Sequence, residues 1–214
     1  MNAATQKISL QGGAGLIEAL LDVPAGEPRG TAVIAHPHPL FGGTMTNKVV
    51  QTLARAFVQT GWRAVRFNFR GVGASAGAYD EGRGEAADML EVIRQVAPEG
   101  PLAVAGFSFG AFVTSHVVAQ SSAPLTPRLP EKIVLVGTAA SRFAVAPIAP
   151  ELHERTLVLH GELDDTVVLS SVMDWARPQS LPVTVIPGVE HFFHGQLPLL
   201  KSLVVRHLLA PVHA

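Results

Sequence analysis

The chain has 214 residues, 48% of them hydrophobic and 15% charged. That composition excludes a disordered chain and suffices for one domain spanning residues 1–214 with a sizeable core. A formal net charge of -1 argues against nucleic acid or an anionic membrane surface as a partner. The absence of cysteine excludes disulfides, thiolate metal sites and a cysteine nucleophile.

Taken in chain order, the N-terminal stretch MNAATQKISLQGG lacks a basic region followed by an apolar one, so no signal peptide is expected. No run of about 18 uninterrupted apolar residues predicts a membrane span, and a cytoplasmic location is the expectation. Ile8–Leu10 and Leu16–Val23 predict a hairpin around Gly12 and Gly13, and Thr31–His36 a buried strand. Asn47–Gln59 carries Val50, Leu53, Ala54, Phe57 and Val58 at helical spacing, and Gly61 ends it. Ala64–Phe69 predicts a strand and Glu85–Val96 a helix, followed by a strand over Leu102–Phe107 and a helix over Ala111–Gln120. Further strands are expected at Lys132–Gly137, Thr156–His160 and Pro182–Ile186, with helices near Val167–Trp175 and Leu197–Leu209. The alternation implies an α/β fold with a mostly parallel sheet and helices on both faces. Between the strands at 132–137 and 156–160, SRFAVAPIAP carries two prolines and cannot make a helical lid of any size.

The strand and helix around residue 108 flank Gly106-Phe107-Ser108-Phe109-Gly110. Strand, G-x-S-x-G, helix is the context of a nucleophile elbow, where a sharp turn exposes a serine hydroxyl above the sheet. The pattern alone recurs by chance, so its partners matter. An α/β-hydrolase presents Ser, then an acid, then His along the chain, each at the carboxyl end of a strand. Thr156–His160 runs into Gly161-Glu162-Leu163-Asp164-Asp165, and Pro182–Ile186 into Pro187-Gly188-Val189-Glu190-His191. In this reading His191 takes the Ser108 proton and Asp164 orients the His191 ring. Asp165 is the competing acid, Glu162 a weaker one, and His194 the competing base. Phe109 N–H is expected to be the first oxyanion donor. The second should come from His36-Pro37-His38-Pro39-Leu40-Phe41-Gly42-Gly43, where the prolines have no N–H. Leu40 is favoured there over His38.

Two other patterns have blander explanations. His36 and His38 alternate in the manner of metal ligands, but with no thiolate, HxHxDH or HExxH nearby, a loop-shaping role is expected and no metal. Gly71-Val72-Gly73-Ala74-Ser75-Ala76 fits a dinucleotide fingerprint, yet turn residues follow where a helix must begin, so no cofactor is expected.

HPHPLFGGTMTNKVV at 36–50, RFNFRGVGASAG at 66–77, GFSFG at 106–110 and GVEHFFHG at 188–195 together resemble the small, lidless bacterial serine α/β-hydrolases, akin to dienelactone hydrolase. The resemblance covers nearly the whole chain. It implies Ser108, Asp164 and His191 as a triad, Asp164 being preferred because the family's acid loop reads Gly-x-x-Asp. It also places the second oxyanion donor in the His-Pro-His-Pro loop. Val168 departs from the proline that many relatives of the wider fold carry after the acid loop. Dienelactone hydrolase proper uses cysteine, so serine here argues for ester substrates. The expectation is therefore a serine hydrolase of small soluble carboxylic esters or thioesters. A non-catalytic small-molecule-binding protein and a perhydrolase using the same triad are the alternatives. The oligomeric state is left open.

Overall fold

The computed structural model describes residues 5–121 and 129–211. The first four residues of the stretch MNAATQKISLQGG, expected to carry no signal peptide, lie outside them. Eight strands form one sheet: β1 (Gln6–Gly12), β2 (Gly15–Asp22), β3 (Gly30–Ala35), β4 (Trp62–Phe67), β5 (Leu102–Phe107), β6 (Lys132–Val136), β7 (Thr156–Gly161) and β8 (Val183–Ile186). Their order is β1-β2-β4-β3-β5-β6-β7-β8. The β1–β2 hairpin pairs antiparallel at one edge, β2 pairs antiparallel with β4, and the strands from β4 to β8 run parallel. The expected elements are present, most with ends within one or two residues of the predicted ones.

Parallel strands covered on both faces read as continuous apolar runs, and β3, β5 and β6 are buried at every position. The helices α1 (Lys48–Gln59) and α5 (Leu197–Leu209) cover one face; α2 (Arg83–Val96), α3 (Phe109–Ser121) and α4 (Leu169–Ala176) cover the other. α5 buries a stripe at helical spacing, Leu200, Val204 and Leu208, whereas α3 is buried nearly all round. Among the described residues no helix is long and apolar enough to cross a membrane.

All parallel strands point their carboxyl ends to one side of the sheet, and the loops there converge. The β6–β7 connection is short: a turn through Arg142 and Phe143, then a 3-10 turn at Pro150–Arg155. Among the described residues no lid covers that end.

The Gly71–Ala76 segment closes on itself through Gly71 N–H to the Ala76 carbonyl, and Ala74 N–H donates to Glu18 Oε2. The next helix, α2, begins only at Arg83. The segment is a tight loop on β2, as expected, with no helix N-terminus to receive a pyrophosphate.

Candidate active site

Ser108 occupies the turn between β5 and α3 with φ 56°. A non-glycine residue in that region is strained and marks a functional constraint. The turn is held by Ser108 N–H donating to the Val136 carbonyl (2.8 Å), while the Ser108 carbonyl accepts from Ala111 and Phe112. The two flanking glycines are required by close approach: a Cβ at Gly106 would strike the Gly110 carbonyl, and one at Gly110 the Ala35 carbonyl.

His191 Nε2 lies 3.0 Å from Ser108 Oγ, and His191 Nδ1 lies 2.6 Å from Asp164 Oδ2. A carboxylate only accepts, so Nδ1 carries the proton and Nε2 is left to accept from the serine hydroxyl. All three side chains are buried. The His191 ring packs against Phe107 and Phe192, with ring centres 4.9 and 5.0 Å away.

Asp164 is fixed on its other side as well. Its Oδ1 accepts from Thr166 N–H (3.0 Å) and Val167 N–H (2.7 Å). Asp165 is exposed and takes only the Thr166 hydroxyl (3.3 Å). Glu162 accepts from Gly188 N–H (2.9 Å), tying the acid loop to the histidine loop. Leu163 N–H strengthens that tie by donating to the Val189 carbonyl. His194 points away and pairs with Glu190 at 3.0 Å on the surface.

At the other wall, Phe109 N–H has no acceptor among the described residues, in keeping with its place at the first position of α3. Leu40, the favoured second donor, has its N–H engaged within its own loop. Pro39 starts a 3-10 turn over Pro39–Phe41, and His38, at its N-cap, accepts the Leu40 N–H on Nδ1 (3.2 Å). Leu40 spends its donor on that cap, and its side chain faces solvent. Between Pro37 and Gly43, the N–H groups of His38 and Gly42 have no acceptor among the described residues. The His38 ring packs among Phe41, Tyr79, Phe109 and Phe143. Burial, aided by the Arg142 charge, pushes its pKa below the usual value. The neutral ring is the form that can accept from Leu40.

His36 is loop-shaping. It is fully buried, its Nδ1 donates to the Pro37 carbonyl (2.6 Å), and its Nε2 accepts Phe69 N–H (3.0 Å). It thereby ties the β3 and β4 loops together.

Sequence reasoning missed His160. It is the penultimate residue of β7 and fully buried, with Nε2 donating to the Val167 carbonyl (2.9 Å) and lying 3.6 Å from Asp164 Oδ2. Burial lowers its pKa, opposed by the Asp164 carboxylate. Its Nδ1 is buried with no partner among the described residues. The signal was a polar residue closing an otherwise apolar strand next to the acid loop.

Ser108 and His191 open onto a cleft of about 340 Å³ between the β3 loop, Arg142, Thr166 and Phe192. An eight-stranded sheet with a serine on a strained elbow, beside a histidine and an aspartate, in a cleft without a lid, defines the class of α/β serine hydrolases. The chain belongs to the small lidless α/β-hydrolase family: residues 26–155 match the family model described as Hydrolase_4, serine aminopeptidase S33. Similar structures include an α/β serine hydrolase without a lid from Xanthomonas campestris, at 31% identity over 100% of this chain and 99% of that one, with a TM-score of 0.84. An α/β serine hydrolase homologue from Coxiella burnetii is 36% identical over 96% of this chain and 97% of its own, TM-score 0.78. An uncharacterized protein of Rickettsia prowazekii is 30% identical over 76% of this chain and 71% of its own length. The chain is a hydrolase of this fold.

Proposed function

We propose that the protein cleaves small carboxylic esters or thioesters through an acyl-enzyme on Ser108. The observation that carries this reading is the continuous chain from Ser108 Oγ to His191 to Asp164, at 3.0 and 2.6 Å. Ser108 Oγ attacks the ester carbonyl while its proton passes to His191 Nε2. Negative charge collects on the carbonyl oxygen, facing the N–H groups of Phe109 and His38, with the α3 dipole behind them. The carbon–oxygen or carbon–sulfur bond then breaks, and His191 gives its proton to the leaving group. Water, deprotonated by the same His191, releases the acid and restores Ser108. Asp164 holds the imidazole in the tautomer each step needs and stabilises the imidazolium.

The family description raises an aminopeptidase as a second reading. An aminopeptidase must hold the substrate's free α-ammonium, which calls for a carboxylate at the subsite. The cleft beside Ser108 presents Arg142 instead, and its lining holds no carboxylate. That favours an ester. The open cleft also suits a small soluble substrate better than a lipid taken from an interface.

Labelling with a fluorophosphonate and hydrolysis of acetyl and butyryl esters test the proposal. Ser108→Ala should abolish both, and His191→Ala should leave a trace. Wild-type protein that neither labels nor turns over any short ester would sink it in favour of a binding protein.

A further inference from the structure

Arg142 stands at the mouth of the Ser108 cleft with its charge unspent. Its neighbour Phe143 is anchored by stacking on Phe112 at 4.7 Å and by edge contact with Phe109 at 5.2 Å. The guanidinium sits 5.8 Å from the centre of the exposed Phe41 ring, across the cleft opening. Among the described residues no carboxylate lies within ion-pair distance of it. Two of the acids around the cleft are engaged. Asp164 binds His191 and two backbone N–H groups, and Glu190 accepts from Phe192, His194 and the His194 ring. Asp165 is exposed on the acid loop beside the Thr166 hydroxyl. A second hollow shares Gly42, Asn47 and Phe192 with the cleft and is lined by Lys48 at the start of α1, whose first turn carries no acidic residue. Arg142 and the His38 ring line the same cleft, and burial, aided by the Arg142 charge, lowers the pKa of that ring.

A planar fork of five donors, steadied by an aromatic ring and lacking an acid partner, is suited to a carboxylate brought by a ligand. Resting on the esterase reading above, we propose that the substrate is an ester bearing a free carboxylate, which Arg142 holds while Ser108 attacks the ester carbonyl. The carboxylate takes no part in bond making. It supplies orientation, and it selects anionic esters over neutral ones of the same length.

The test compares kcat/KM within two matched pairs. Monoethyl adipate against ethyl hexanoate places the carboxylate on the acyl side, and 4-acetoxybutyrate against butyl acetate places it on the alcohol side. In one pair the charged ester should be preferred by roughly tenfold at low salt. That preference should shrink as ionic strength rises. Arg142→Met should collapse the charged-to-neutral ratio and Arg142→Lys should keep part of it. A ratio unchanged in Arg142→Met, or neutral esters preferred in both pairs, overturns the proposal while leaving the esterase reading standing. No turnover of any of the four esters together with no fluorophosphonate labelling overturns both.

Discussion

Asp164 and Asp165 are adjacent in the chain and opposite in environment. One is buried and accepts three hydrogen bonds, the other lies in solvent. Asp164→Asn should therefore cost about 10³–10⁴ in kcat by spoiling the His191 tautomer, whereas Asp165→Asn and His194→Ala should stay within about twofold. Steady-state kinetics on one ester check all three, and a dead His194 variant would relocate the base. His160 acts through Val167, whose N–H and carbonyl are bonded to Asp164 and His160 respectively. His160→Leu should lower kcat about fivefold to tenfold with little change in KM. His160→Gln, whose amide can still donate to the Val167 carbonyl, should recover most of it. Equal losses in both variants would mean that His160 only fills space. At this scale, Ser108, Asp164 and His191 were legible because chain order and strand ends constrain them. The engagement of Leu40 N–H by His38 was not legible, because it depends on a 3-10 cap, and capping geometry is not written in a run of alternating prolines. His160 was invisible because its partner, the Val167 carbonyl, is backbone.

The elbow is a junction of three elements, and its glycines hold them at contact distance. Gly110→Ala would drive a methyl into the Ala35 carbonyl of β3 and push the start of α3 away from the sheet. Overpacking of this kind costs about 1–3 kcal/mol. A thermal melt should show a fall of several degrees in Tm, and fluorophosphonate labelling should be lost as Phe109 N–H moves. A variant that melts and labels like wild type would show that the junction yields more easily than the geometry implies. Element type and extent were readable from periodicity, since α1 and α5 carry their stripes at helical spacing and β5 is an unbroken apolar run. The strand order was not readable. That β4 lies between β2 and β3 depends on pairing between residues far apart, such as Ala19 with Phe67 and Val33 with Val65, and a local pattern carries no record of its partner.

Two histidines couple the whole molecule to pH. Burial pushes His36 down to about 4, and burial together with the Lys132 charge does the same to His207, which packs against the Arg155 carbonyl. Both are neutral in the folded state but protonate near 6.5 once the chain unfolds. Their contribution is complete above pH 6.5 and is lost as pH falls toward 4, at about 3 kcal/mol for His36 alone when fully expressed. Urea midpoints should be flat from pH 8 to 7 and decline from pH 6.5 to 5, more gently in His207→Gln. Midpoints unchanged down to pH 5 would contradict the neutral-core assignment.

The short β6–β7 connection has a chemical corollary. An acyl group on Ser108 would face the medium directly, with no closed chamber to choose which nucleophile arrives next. Water would prevail by abundance alone. Added methanol or hydroxylamine would then divert the acyl group in proportion to concentration and reactivity, so the product mixture would report the composition of the surroundings as much as the identity of the substrate.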